Sequence, residues 1–335
     1  MVEKRVFIIH EFIDFFVIIG SILGVTGTYW DIYYHIIYGR ESFWIKPHLI
    51  VYLGVLIVFL SSLIGLIYNH NIKNKRLAKG FFYATLTIFL SVTLQIISAY
   101  IDDLWHKIFG LDVSVWSPPH LILIFFGIMI SLSFIYFQRL YIHIAKLDKI
   151  KRLTSDEIKL ELMCAIALIG FSIIIAEFEF YKIIPINHIS QLRPSWIYLS
   201  LMSIIFIFIL TLAKTVIKTK WSALRISLFY IIIRLLTNII FLNKSWPITP
   251  FLIIIPALFF DIIFDKNNYK IVLTSIIFSL IFYITQTIYL LIIKANKFIP
   301  KTSFEVFSTI IFSSIVALIA YFIGNRIIDN INKYH

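Results

Sequence analysis

Two short stretches of this 335-residue chain hold the side chains best suited to chemistry, and the two match. The first reads Trp30-Asp31-Ile-Tyr-Tyr-His35, continues through Gly39 and Trp44, and closes on Pro47-His48-Leu49-Ile50. The second reads Asp102-Asp103-Leu-Trp-His106, continues through Gly110 and Trp116, and closes on Pro119-His120-Leu121-Ile122. In both, Asp and His stand four apart, Gly follows four later, and a Pro-His pair opens the next apolar run; the second connection is one residue longer. Residues i and i+4 share a helix face about 5–6 Å apart between Cβ atoms, so an Asp carboxylate and a His imidazole can converge on one ion. Proline is tolerated in the first turn of a helix, which suits Pro47 and Pro119 to begin helices that bring His48 and His120 back to the same points.

The spacing therefore predicts two metal sites, Asp31/His35/His48 and Asp102/His106/His120. Asp103 adjoins the second and is either an alternative ligand or a supporting group. Arg40 and Glu41 follow the first closely and are candidates to orient a ligating imidazole through its free N–H; a surface ion pair is the competing reading. A lone histidine near a membrane surface is ordinarily a hydrogen-bonded member of the aromatic belt, but six ionisable groups in register call for a shared reason. The one cysteine, Cys164, rules out an internal disulfide or a thiolate cluster, which leaves oxygen and nitrogen donors. Two imidazoles and a carboxylate with open positions suit copper, non-haem iron or zinc. No catalytic residue is assigned.

The elements that must position these groups are membrane helices. With 60% hydrophobic residues, 14% charged and a mean hydropathy of +0.92, the chain has too little polar surface for a soluble globule of its size. Apolar runs of about 20 residues, enough to cross a roughly 30 Å hydrocarbon layer, recur throughout. They predict an all-α polytopic protein of about ten spans, at 6–30, 48–68, 80–101, 120–138, 162–181, 195–213, 223–242, 248–264, 271–293 and 304–323. The runs are continuous Ile/Leu/Phe blocks without the alternation of a barrel strand. Residues 1–147 read as a duplicated metal-binding unit of two helix hairpins, 148–161 as a charged cytoplasmic loop, and 162–335 as a helical region of about six spans with no evident role.

The net charge of +12 could suggest nucleic acid, but the Lys and Arg residues sort by side. Of 30, 20 fall on one side, 19 in loops, including Lys73, Lys75, Arg76 and Lys79, and Arg225 at that end of the expected span 223–242; nine fall on the other, and Arg234 lies in the middle of that span. The positive-inside rule then puts both termini in the cytoplasm and both motifs outside, in a parallel repeat. Basicity here reports topology and predicts no nucleic-acid partner; the partner expected is the lipid bilayer. The first span lacks a cleavage site and reads as retained. Arg234 is expected to face the bundle and meet a carboxylate, a carbonyl or a bound anion. Glu177 and Glu179, with His188 and Arg193, read as salt-bridged interface residues, with a decayed third repeat as the alternative. His10, His70, His143 and His335 are expected at the surface. Gly20-x3-Gly24 suggests close helix packing in the first span.

Trp30-Asp31-x3-His35, followed by Arg40-Glu41, Phe43 and Pro47-His48, resembles the metal-site motif in the C subunit of particulate methane and ammonia monooxygenases. In that family one site has Asp, His and His at the spacing of Asp31, His35 and His48, and a second has Asn, His and His at the spacing of Asp102, His106 and His120. The resemblance covers about residues 10–140 and implies copper, with other membrane monooxygenase subunits or a further copy of the chain as partners. Asp102 stands where the family usually has Asn, which gives the second site a full carboxylate and a different metal preference or redox poise. Spans five to ten have no counterpart in it. Three functions stay open: a copper-dependent membrane oxidoreductase or a subunit of one, a non-catalytic copper or zinc storage or delivery protein, and a structural protein whose sites only brace hairpins.

Overall fold

The computed structural model describes residues 4–39, 42–69, 75–110, 114–147, 153–184, 193–217, 219–242 and 247–333. Among these the chain is helical, without strands, as its continuous apolar runs require: in lipid every backbone N–H and C=O must be satisfied within its own segment. The helices are α1 (Lys4–Tyr38), α2 (Lys46–Asn69), α3 (Lys75–Phe109), α4 (Pro118–Leu147), α5 (Leu153–Ile173), α6 (Ala176–Glu179), α7 (Ile197–Val216), α8 (Ser222–Phe241), α9 (Ile254–Ile263), α10 (Asn268–Ile292) and α11 (Ser303–Asn332). They fall into two compact units, Met1–Ile174 with Asp329–His335, and Ile175–Ile328.

Among the described residues eight helices are long and apolar enough to cross a membrane, against ten expected. The run at 162–181 is not one helix. α5 begins earlier, carries Asp156, Glu157, Lys159 and Glu161 near its start, and ends at Ile173; Glu177 and Glu179 follow in the single turn of α6. The run at 248–264 contains only the short helical stretch Phe251–Ile263, about 20 Å at helical rise and too short to span.

In the first unit α1 packs along α2, α3 along α4, and α5 against α1 and α4. Gly20 and Gly54 let α1 and α2 approach closely: a Cβ added at Gly54 would lie 2.5 Å from the Gly20 carbonyl oxygen. The same Cβ would lie 2.9 Å from the Gly24 nitrogen, so both glycines of Gly20-x3-Gly24 line the crossing with Gly54, although Gly24's own Cβ position is open. Val17, Ile88, Val92 and Phe134 are fully buried, whereas Leu53, Leu56, Leu60 and Ile67 on α2 point outward, as lipid-facing positions would.

His10 is a correction. It is buried, stacked on Phe137 and Tyr141, and lies 3.2 Å from Asp14, itself fully buried. Lys159 closes this group from α5, donating to Glu11 at 2.6 Å and to Asp14 at 3.1 Å. Burial works against the Lys159 charge, but the carboxylates of Asp14 and Glu11 outweigh it and hold the ammonium above its usual range. His143 is half-buried. His70, His188, His335 and residues 148–152 of the charged loop lie outside the described residues.

The second unit is organised around polar pairs inside apolar helices. Arg234 on α8 is fully buried and meets the carboxylate of Glu179, with Thr249 Oγ1 at 3.4 Å. This agrees with the expectation that a mid-span arginine faces the bundle and finds a partner. Glu177 pairs with Arg193 at 2.6 Å, the salt-bridged arrangement expected of these residues. Ser200, Tyr283 and Thr309 join α7, α10 and α11 through mutual hydroxyl contacts of 2.7–3.0 Å.

Candidate metal centres

Both triads assemble at the same kind of place, the end of one helix and the start of the next. α1 stops at Tyr38 and α3 at Phe109 because the following residues, Gly39 and Gly110, adopt left-handed backbone angles of φ +72° and +83°. A residue without Cβ takes up that conformation readily and caps the helix. Gly39 N–H donates to the His35 carbonyl (3.1 Å) and Gly110 N–H to the His106 carbonyl (3.0 Å), so the Gly found four residues after each His is the helix stop. Each return begins with the same turn, in which Trp44 N–H donates to Ser42 Oγ and Trp116 N–H to Ser114 Oγ, both at 3.0 Å.

In the first triad Asp31 Oδ1 lies 3.3 Å from His35 Nε2 and 3.0 Å from His48 Nε2. In the second, Asp102 Oδ1 lies 3.4 Å from His106 Nε2 and 3.3 Å from His120 Nε2. Within each set one ligand atom per residue lies within 4.8 Å of the others. A charge-assisted N–H···O hydrogen bond is ordinarily about 2.7–2.9 Å. Two donors bound to one ion at about 2.0–2.1 Å and a tetrahedral angle lie about 3.4 Å apart. Three of the four contacts, at 3.3, 3.4 and 3.3 Å, match the second geometry better than the first.

The opposite ring nitrogens set the direction of the imidazoles. His48 Nδ1 faces the Phe43 carbonyl oxygen at 3.0 Å, and His106 Nδ1 faces that of Gly110 at 3.1 Å. A carbonyl only accepts, so each of these Nδ1 atoms carries a proton, and in the neutral ring Nε2 presents its lone pair to the triad. This is the outer hydrogen bond that metal-ligating histidines usually make. His120 Nδ1 instead meets the hydroxyl of Ser117 at 2.9 Å. Tyr52, one turn after His48, donates to the Phe43 carbonyl at 3.2 Å.

All six expected ligands are thus brought together in two groups of three. Asp102 is the member of the second group, while the neighbouring Asp103 forms an ion pair with Lys107 at 2.6 Å. Arg40 and Glu41 lie outside the described residues. Sequence reasoning passed over the partners of the imidazoles. The Phe43 and Gly110 carbonyls leave no mark in residue type. Ser117 does leave one: a serine immediately before Pro118-Pro119 is a helix-start signal. The buried His10–Asp14–Lys159 group was also missed, because its members come from two distant helices, although His10 and Asp14 at i, i+4 repeat the spacing of the triads.

Comparison of the chain with protein-family models, with curated proteins and with solved structures finds no match in any of the three.

Proposed function

We propose that this chain is an integral membrane metalloprotein that holds one ion at Asp31, His35 and His48 and another at Asp102, His106 and His120, on the side of the membrane away from the cytoplasm. The observation that carries the reading is the pair of matching clusters, whose N–O separations suit donors sharing an ion. The shared turns, capping glycines and ligand order support descent of both hairpins from one unit. The excess of Lys and Arg in the loops opposite the triads supports the orientation.

The metal proposed is copper, and the function that of a subunit of a copper-dependent membrane oxidoreductase. The support is the resemblance of the two spacings, in the same chain order, to the C subunit of particulate methane and ammonia monooxygenases. A copper ion at such a site supplies one-electron redox chemistry and an open position for a small substrate. The residues themselves do three things. Asp31 and Asp102 offset part of the positive charge near the membrane. The carbonyls of Phe43 and Gly110 fix which imidazole nitrogen points inward. The apolar outer faces of the hairpins give lipid-soluble molecules, small hydrocarbons or quinols, a route along the bilayer.

The same ligands serve storage or delivery of copper or zinc, and that second reading is favoured by the partial exposure of His35 and His120, at 28% and 27%. Metal content measured by mass spectrometry on detergent-purified protein, supplied in turn with copper, iron and zinc, tests the central claim. Near-stoichiometric copper at two sites, with His35→Ala and His106→Ala each losing one, is the expected result. Metal unaffected by either substitution would leave the clusters with only a bracing role. Oxygen uptake with a quinol donor, abolished in His106→Ala, separates an oxidoreductase from a store.

A further inference from the structure

The two centres differ in what faces Nδ1 of the histidine that opens the second helix of each hairpin. At His48 the nearest group to Nδ1 is the Phe43 carbonyl at 3.0 Å; the Tyr52 hydroxyl, 3.5 Å from Nδ1, donates to that same carbonyl at 3.2 Å, so the carbonyl favours the ring state that exposes Nε2 to a metal. At His120 the group is the Ser117 hydroxyl, 2.9 Å away, which can either accept from Nδ1 or donate to it. When Ser117 donates, Nε2 carries the ring proton and faces the Asp102 carboxylate, whose Oδ1 lies 3.3 Å away. When Ser117 accepts, Nε2 is free to ligate. The corresponding position in the first hairpin, three residues before His48, is Ile45, which has no such hydroxyl.

We propose that Ser117 is a positioning residue for His120, and that its reversible hydrogen bond makes the second centre the weaker and more exchangeable of the two. The inference rests on the metal reading above. From the state in which Ser117 donates, loading the second centre requires the Ser117 hydroxyl to rotate and the His120 ring proton to move from Nε2 to Nδ1; the Phe43 carbonyl offers His48 no such competing state. The order of filling is first centre, then second, and metal leaves in the reverse order. A site that gives up its ion more readily is suited to passing metal on or to opening a coordination position.

Ser117 also precedes the first turn of α4, so its replacement must be separated from loss of a helix cap. Glycine at such a position keeps most of the capping effect, within a few tenths of a kcal/mol, but lacks the hydroxyl. The test is copper(II) affinity by chelator competition on full-length protein in detergent, with His106→Ala reporting the first centre and His35→Ala the second. The first should bind about three- to tenfold more tightly, the equivalent of one reversed hydrogen bond. In the His35→Ala background, Ser117→Ala and Ser117→Gly should each weaken binding about 10- to 100-fold, and Ser117→Thr should restore it, with thermal melting confirming the fold. Equal affinities at the two centres, or a second centre indifferent to Ser117→Ala and Ser117→Gly, would overturn the proposal while leaving the metal reading standing. Copper bound by neither single-centre variant nor by the intact chain would remove both.

Discussion

At the scale of single residues, adjacent carboxylates are told apart by what each touches. Asp102 contributes Oδ1 to two imidazoles, whereas Asp103 points to Lys107 on the same helix, whose side chain is 68% exposed. Asp103→Ala should therefore keep both metal ions and shift stability by no more than the few tenths of a kcal/mol of an exposed i,i+4 pair. Asp102→Ala should lose the second ion alone, and metal analysis of the two variants checks both outcomes. Asp102→Asn keeps an oxygen donor while removing its charge, so it should retain copper with lower affinity. Sequence spacing pairs Asp31 with His35 and Asp102 with His106, since i,i+4 geometry follows from helical rise alone, and the Pro-His starts of the returning helices add His48 and His120. Asp103 stays an alternative in sequence, because the rotation of α3 against α4 that brings Asp102 to His120 leaves no mark in residue type.

At the scale of elements, each centre is as rigid as the hairpin that carries it. The first depends on the Gly20–Gly54 contact between α1 and α2, where any added side chain meets backbone. Gly54→Leu should part these helices, cost about 1–3 kcal/mol and weaken copper at Asp31/His35/His48, with the second centre unchanged. Thermal melting and copper analysis in the His106→Ala background read the two effects. In the second unit the Arg234–Glu179 pair ties α8 to α6 at full burial. Removing one partner strands a charge, so Glu179→Gln or Arg234→Met should each cost about 3–5 kcal/mol, and the double variant less than their sum. The long apolar runs of α2, α4, α7, α8, α10 and α11 were legible from hydropathy. The break after Ile173 was not, because the apolar pattern continues through Ile174, Ile175 and Ala176 while the backbone turns.

At the scale of the whole molecule, composition points to a bilayer, and the distribution of Lys and Arg predicts an orientation that geometry alone does not supply. The loops expected inside hold Lys73, Lys75, Arg76 and Lys79, together with Lys146, Lys149, Lys151 and Arg152. Moving such residues across a bilayer is disfavoured, so the ends of α1 and α3 that carry the triads should face outward and the C-terminus inward. The chain supplies its own background for a labelling test: Cys164 is buried and should stay unreactive toward a maleimide in the folded protein. Lys107→Cys, beside the second triad, should label with a membrane-impermeant maleimide on intact cells. Lys333→Cys, at the end of α11, should label only after permeabilisation. The reverse pattern would place both centres in the cytoplasm, where copper is held by thiol carriers, and would favour delivery over oxidation. Labelling of both positions from outside would mean an odd number of crossings, and α5 or the short Phe251–Ile263 stretch would then have to be reassigned relative to the bilayer.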